Sequence, residues 1–359
     1  MALTGLLAAA VLAAGSPGDC AADPPLEYTC GPVKPEDVLA LPGTHWLVTS
    51  GFAHGAGLKL VDGKTGSYKP WYTGGTEQQG ARLEGYPDCS GPVDPALFNA
   101  RGLALRRIAG DRWRLLAVNH GGREAIEVFD VTLRGRTEPE LRWRGCLLLP
   151  PGQVGNSVAS FADGTVLVTV LTRPGTTIAD FVEGRDTGAV WSWSPGAAGF
   201  AELPGTRLPG NNGLEVDPDG RRFFVVAFGW HAVVVYDRRD TSRPLARIEA
   251  PGFMPDNIHW TGGRLLLTGM RLEEPGCGGL RKVVNGVADP MLCHRGWAVG
   301  ELDRAARRIR VVARGEPTPG FNGHSAAAVA ADRLWLGSFQ SSRLARLPLP
   351  PSLAKGKRR

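Results

Sequence analysis

The stretch Leu214-Glu-Val-Asp-Pro-Asp-Gly-Arg-Arg-Phe-Phe-Val-Val-Ala227 decides the fold. Two apolar runs rich in β-forming residues flank Pro-Asp-Gly, a segment whose glycine reaches the positive φ of a tight turn without strain. It reads as a β-hairpin. Five other stretches follow the same plan: 38–52, 103–120, 158–170, 258–269 and 326–339. Their turns are carried by Pro-Gly, Asp-Gly, Gly-Gly or an aspartate. Successive hairpins start 44 to 68 residues apart. Further alternating runs lie between them, such as Ala125-Ile-Glu-Val-Phe-Asp130 and His231-Ala-Val-Val-Val-Tyr-Asp237. A unit of four strands repeated six times predicts a six-bladed β-propeller with four-stranded antiparallel blades over residues 30–350. A pair of β-sandwiches is the competing architecture.

Composition agrees with many short strands. Of 359 residues, 49 are Gly and 28 are Pro, a turn-rich balance that excludes a helical bundle. The net charge is +6, but the basic residues are scattered outside the Lys355-Gly-Lys-Arg-Arg359 end. No basic face for nucleic acid is expected. Residues 351–359 read as a flexible basic tail. Residues 1–19 hold an apolar run ending in small residues, shorter than a membrane span and suited to a signal peptide, although no Lys or Arg precedes it. No later run predicts a transmembrane helix. Export, to the periplasm or beyond, follows as an expectation. The six cysteines then suggest disulfides, with Cys277–Cys293 the favoured pair.

In a propeller the innermost strand of each blade lines the central channel, so the residues just before the six hairpins should meet at its mouth. They are Glu36-Asp37, Asn99-Ala-Arg-Gly102, Gly155-Asn156-Ser157, Asn211-Asn212-Gly213, Asp256-Asn257 and Gly323-His324-Ser325. Each segment alone is ordinary turn chemistry. Together they offer hard oxygen ligands from several blades, a set that suits Ca²⁺ and not zinc. Glu36 and Asp256 would neutralise the ion, with Asn156, Asn212 and Asn257 completing its shell.

These segments resemble the paraoxonase, gluconolactonase and regucalcin group of calcium-dependent propellers. The resemblance rests on Pro35-Glu36-Asp37, Asn99-Ala-Arg-Gly-Leu103 with Leu115-Leu-Ala-Val-Asn-His120, Gly155-Asn156-Ser157, Asn212-Gly213-Leu-Glu-Val-Asp-Pro-Asp-Gly220 and Asp256-Asn257-Ile258. It implies a catalytic Ca²⁺ held by Glu36, Asn156, Asn212, Asp256 and Asn257, and hydrolysis of lactones or aryl esters. For a second, structural calcium, Asp37 and the Leu103 carbonyl match two ligands, but Ser157 stands where a third carboxylate would. His120 matches one histidine of the paraoxonase pair. Arg101 stands in place of the other, and an arginine remains protonated at neutral pH and is no general base. Besides His120, the candidate bases are Asp256, His54 and His324, the last placed at the mouth by its blade position. Arg101 could instead bind a carboxylate or polarise a carbonyl beside the metal. Phe52, Trp230, Met270 and Phe339 follow hairpin strands and are candidates for a pocket wall.

No G-x-S-x-G, P-loop, dinucleotide fingerprint or Cys-x-x-Cys-His segment is present. The sequence therefore predicts a calcium-dependent lactonase or arylesterase acting on a small molecule. Two alternatives stand: a Ca²⁺-dependent lyase or isomerase on the same site, and a non-enzymatic ligand-binding propeller with structural calcium. A mouth plugged by residues 271–296 would favour the last.

Overall fold

The computed structural model describes residues 20–86, 89–135 and 137–354. The expected signal segment and the Lys355–Arg359 end lie outside the described residues. Residues 351–354 pack on the propeller: Leu353 is buried beside Trp297 and Val312, and the Ser352 hydroxyl donates to the Val312 carbonyl.

Six four-stranded antiparallel sheets make the six blades, and among the described residues only one short α-helix, Ile178–Val182, is present. Blade 1 runs through Val38–Ala40, Trp46–Thr49, Lys59–Asp62 and Tyr68–Pro70. Blade 2 holds Ala100–Ala109 to Glu140–Leu148, blade 3 Gly155–Ser160 to Ala201–Glu202, and blade 4 Asn211–Val216 to Ala246–Glu249. Blade 5 combines Phe253–Thr261, Arg264–Arg271, Trp297–Asp303 and Arg308–Gly315. Blade 6 takes its three inner strands, His324–Ala330, Arg333–Ser338 and Arg343–Pro348, from the C-terminal end of the chain. Its outer strand is Glu27–Cys30, paired with Arg343 to Arg346. The two ends of the described chain thus close the ring within one sheet, and no blade edge at the closure is left open.

Core residues lie between blades and not within a single central core. Leu60, Phe98, Phe129 and Trp143 fill the space between blades 1 and 2. Leu214, Phe223, Val190 and Tyr236 do the same between blades 3 and 4. Three disulfides are formed: Cys20–Cys30, Cys89–Cys146 and Cys277–Cys293. The first fixes the segment leading into the closing strand, the second ties the 70–98 connection to the outer strand of blade 2, and the third closes a loop on blade 5.

The segments read as turns preceding the hairpins lie, in five blades, inside the inner strands. Two residues on the inner strand oppose one on its neighbour, which is the geometry of a β-bulge. The bulged pairs are Arg101-Gly102, Asn156-Ser157, Asn212-Gly213, Asp256-Asn257 and Ser325-Ala326. Blade 1 carries the counterpart just before its first strand: Glu36-Asp37 faces Ser50, whose amide donates to the Asp37 carbonyl at 3.0 Å and whose hydroxyl accepts from the Asp37 amide at 2.9 Å. Two bulge glycines are required by close approach. A Cβ on Gly102 would fall 2.5 Å from the Asn156 carbonyl oxygen, and one on Gly213 would fall 2.4 Å from that of Asp256.

Candidate functional site

A bulge turns side chains off the regular two-residue alternation, and the five bulges and their blade 1 counterpart recur at equivalent positions of the inner strands. Glu36, Asn212, Asp256 and Asn257 are each no more than 6% exposed. They remain under-satisfied: Glu36 Oε2, Asn212 Oδ1 and Asn257 Nδ2 are buried without a hydrogen-bond partner, as is the Ser157 hydroxyl. Buried polar atoms are normally paired, so a cluster of orphans is an invitation to a ligand. Burial pushes the Glu36 carboxyl up to about 8; Arg101 opposes this and Asp37 adds to it. Burial also raises Asp256 well above the carboxylate range, aided by Glu36, against a hydrogen bond with Asn212. Glu36 lies close enough to raise Asp256, and burial disfavours the charged form of both carboxyls in the absence of a cation. Asn156, from blade 3, is half-buried on the same ring of bulges.

Asp37 lies deeper and is fully buried. Its Oδ1 accepts from the Val38 amide at 2.8 Å and sits 2.7 Å from His259 Nε2, and its Oδ2 accepts from the Leu103 amide at 2.7 Å. Three of its roughly four acceptor positions are taken. Burial by itself would keep His259 neutral, but Asp37 and Glu215 hold it protonated, up to about 10. His259 thus faces one oxygen of Asp37, and the Leu103 amide donates to the other. Nothing in the sequence marks His259 beyond its position two residues after Asn257.

The blade 2 side of the mouth carries a histidine–carboxylate pair. Both Glu124 oxygens lie 2.8 Å from His120 Nδ1. A buried network holds that loop. Glu127 accepts from Arg123 Nε at 2.7 Å, from Trp143 Nε1 at 2.8 Å and from Asn119 Nδ2, and Asn119 Oδ1 accepts the amides of Gly121 and Asn99. The His120 amide bonds the Asn99 carbonyl, which anchors it to the start of the inner strand. Glu124 was not singled out in the sequence. Its signal was the His-Gly-Gly-Arg-Glu spacing, which returns a carboxylate four residues after His120. Arg101 lies between this pair and the carboxyls: burial weakens its hold on its proton, while Glu36 and Glu124 strengthen it. Its guanidinium carbon stands 3.0 Å from the centroid of the Phe52 ring.

His324 is fully buried against Phe321 and Trp297, with neither ring nitrogen partnered, and burial drives it down to about 3. It is a neutral imidazole at any ordinary pH. His54 is exposed in the Ala53–Ala56 turn, and no contact positions it among the described residues.

Two insertions rise at this end of the ring, each between the second and third strands of its blade. The Ile178–Val182 helix belongs to blade 3, and residues 272–296 belong to blade 5. The second carries the Cys277–Cys293 bridge and a small hairpin, Val283–Val284 with Val287–Ala288. It crosses toward blade 6, where Asn322 Nδ2 and Gln340 Nε2 donate to the Met291 carbonyl. It also reaches blade 3, where Arg281 lies over Phe181. Met291 joins Phe181, Phe228, Met254 and Met270 in one apolar cluster, with Phe339 against it. The roof therefore covers the side of blades 3 to 6. On the blade 1 and 2 side, Phe52, Arg101, His120 and Glu124 keep partial exposure. Of the four candidate wall residues, Met270 and Phe339 belong to this cluster, Phe52 underlies Arg101, and Trp230 packs between blades 3 and 4.

The fold is shared with solved propellers. A gluconolactonase from Xanthomonas campestris is 16% identical, with 90% of this chain and 89% of that one covered at a TM-score of 0.50. A luciferin-regenerating enzyme is 10% identical, with 90% and 94% covered and a TM-score of 0.51. Regucalcin from Agrobacterium tumefaciens, a calcium-binding protein, is 13% identical, with 89% and 91% covered and a TM-score of 0.49. At these identities the likeness is one of fold. No protein-family model and no curated protein matches the chain.

Proposed function

We propose that the protein is a calcium-dependent hydrolase of lactones or carboxylic esters that works at the bulged mouth of the propeller. The observation that supports this reading best is the convergence of Glu36, Asn212, Asp256 and Asn257, buried together with polar atoms left unpaired. That donor set fits a hard divalent cation, to be held by Glu36, Asn156, Asn212, Asp256 and Asn257, with the Asn257 amide turned to present its oxygen. Once bound, the cation would polarise a substrate carbonyl and stabilise the charge that develops on its oxygen. A gluconolactonase with the same fold is consistent with that chemistry.

His120 is assigned as the general base. Glu124 holds its Nδ1 as a donor, which leaves Nε2 to take a proton from a water molecule. The water oxygen bonds to the carbonyl carbon, the acyl C–O bond breaks, and the proton passes from Nε2 to the departing alkoxide. A lactone gives a hydroxy acid. Asp256 is kept as a cation ligand, since a carboxylate engaged in neutralising the ion is a poor proton acceptor. His324 lacks a polar partner to orient it, and His54 lies out in solvent.

Three disulfides and the absence, among the described residues, of a helix long and apolar enough to cross a membrane are consistent with an exported protein. The test is hydrolysis of a panel of lactones and aryl esters by the purified protein, with calcium and after chelation, beside Asp256→Ala. Calcium-dependent turnover that is lost in the variant is expected. Tight calcium binding without turnover would overturn the hydrolase and leave the lyase, isomerase or ligand-binding readings.

A further inference from the structure

Arg101 is the one group at the mouth whose chemistry the hydrolytic step does not use. It occupies the first position of the blade 2 bulge, so its side chain leaves the strand toward the channel axis and not into the sheet. The Phe52 ring holds the guanidinium face from below at 3.0 Å. Its Nε is buried with no hydrogen-bond partner, and among the described residues no carboxylate pairs with it. Two carboxyls are close enough to act on it through space, Glu36 and Glu124. Neither makes an ion pair with it: Glu36 belongs to the proposed cation cluster, and both oxygens of Glu124 face His120 Nδ1. A guanidinium half sunk in protein, rigidly stacked and left without its ion pair is a site prepared for an anion from outside. Phe52, Arg101, His120 and Glu124 all keep partial exposure on this side of the mouth.

We propose that Arg101 is a specificity determinant, and that the substrate is a lactone or ester bearing a carboxylate a few atoms from the reacting carbonyl. This inference rests on the hydrolase reading. The flat fork of one arginine matches a planar carboxylate through two parallel hydrogen bonds. Phosphate fits less well: a dianion beside Glu36, Glu124 and Asp256 would need more than one cation to offset the repulsion. The anchored carboxylate leaves the carbonyl end of a short substrate over the Glu36 and Asp256 cluster, with His120 beside it. Neutral sugar lactones would leave the guanidinium desolvated and unpaired, a discrimination that polar sites make strongly.

The test compares one lactone in two forms, γ-butyrolactone and its γ-carboxylate, using the full-length protein with calcium, wild type beside Arg101→Met and Arg101→Lys. The wild type is expected to favour the charged form by about 10- to 100-fold in kcat/KM, the range a charge-assisted hydrogen bond supplies. Arg101→Met should collapse that ratio toward one, mainly through KM, and Arg101→Lys should restore part of it. Calorimetric titration with glutarate provides a readout independent of turnover: saturable binding to the wild type, weakened by salt and lost in Arg101→Met. Hydrolysis of both forms with a ratio indifferent to the Arg101 variants would overturn the inference and leave the hydrolase standing. Glutarate binding that depends on Arg101, without hydrolysis of either form, would overturn the hydrolase and keep the anion site. No glutarate binding to a folded wild type would overturn the anion site.

Discussion

At the scale of single residues, the proposed mechanism separates the site into groups that would hold a cation and groups that would move a proton. Glu36 and Asp256 are close, buried and short of positive charge, whereas His120 is already partnered by a carboxylate. The proton-handling half is open to direct test. His120→Ala should lower kcat by about 10²–10⁴-fold, the usual contribution of a positioned general base. Glu124→Gln, which keeps the shape and removes the charge, should lower kcat by about tenfold, less than loss of the base itself, with KM little changed. Steady-state kinetics at saturating calcium would read both. An unaltered kcat in His120→Ala would return the assignment to Asp256. A loss in Glu124→Gln that appears only in KM would make Glu124 a substrate contact and not a positioning residue. Arg101 could not be placed from sequence. Its substitution for a histidine was visible, but which way it points follows from the bulge and from Phe52, a residue 49 positions earlier in the chain.

At the scale of the element, the bulge is the device that matters. It converts strand residues that would otherwise alternate between faces into a ring that converges on the axis. Gly102 and Gly213 let one bulge press against the bulge of a nearby blade, so the ring is tightened by the absence of two side chains. Gly213→Ala would drive a methyl into the Asp256 carbonyl at 2.4 Å and against Asn257 Cα at 2.8 Å. Overpacking of this kind destabilises by about 1–3 kcal/mol, and here the strain falls on two of the proposed cation ligands. Calcium affinity should drop together with stability, as calorimetric titration and urea unfolding would show. Normal affinity in a destabilised Gly213→Ala would mean that the bulges need not be rigid. The hairpins were legible because turn chemistry and apolar alternation are local. The bulges were not: an extra residue in a strand shows only against its partner's register, and Asn-Gly or Asp-Asn also reads as a turn.

At the scale of the whole molecule, the ring gathers three carboxyls and one histidine around its axis, and folding stability follows. In the cation-free protein Glu36 is raised to about 8 and Asp256 is raised well above its ordinary range. The folded chain therefore binds more protons than the unfolded chain between roughly pH 4, where free carboxyls titrate, and pH 8. Stability contributed by these groups falls as pH rises through that window. Calcium needs both carboxylates ionised, so its stabilising effect runs the other way and grows with pH. Thermal unfolding with chelator and with excess calcium should show a larger calcium-dependent gain in Tm at pH 8 than at pH 5, with protons released on binding. An equal gain at both values would place the ion elsewhere.

The sequence by itself determined the number of blades, the strand plan and the mouth segments, because a hairpin repeat is written in local chemistry and six copies reinforce one another. It also favoured the Cys277–Cys293 bridge, which closes a short loop. Tertiary structure decided what distance along the chain conceals. The closing strand comes from Glu27–Cys30, 313 residues or more from the strand it pairs with. His259 reaches Asp37 across 222 positions, and the 272–296 insertion leaves blade 5 to contact residues of blades 3, 4 and 6. Such contacts are set by closing a ring, in which each blade sees only its two neighbours in sequence but all six meet at the axis.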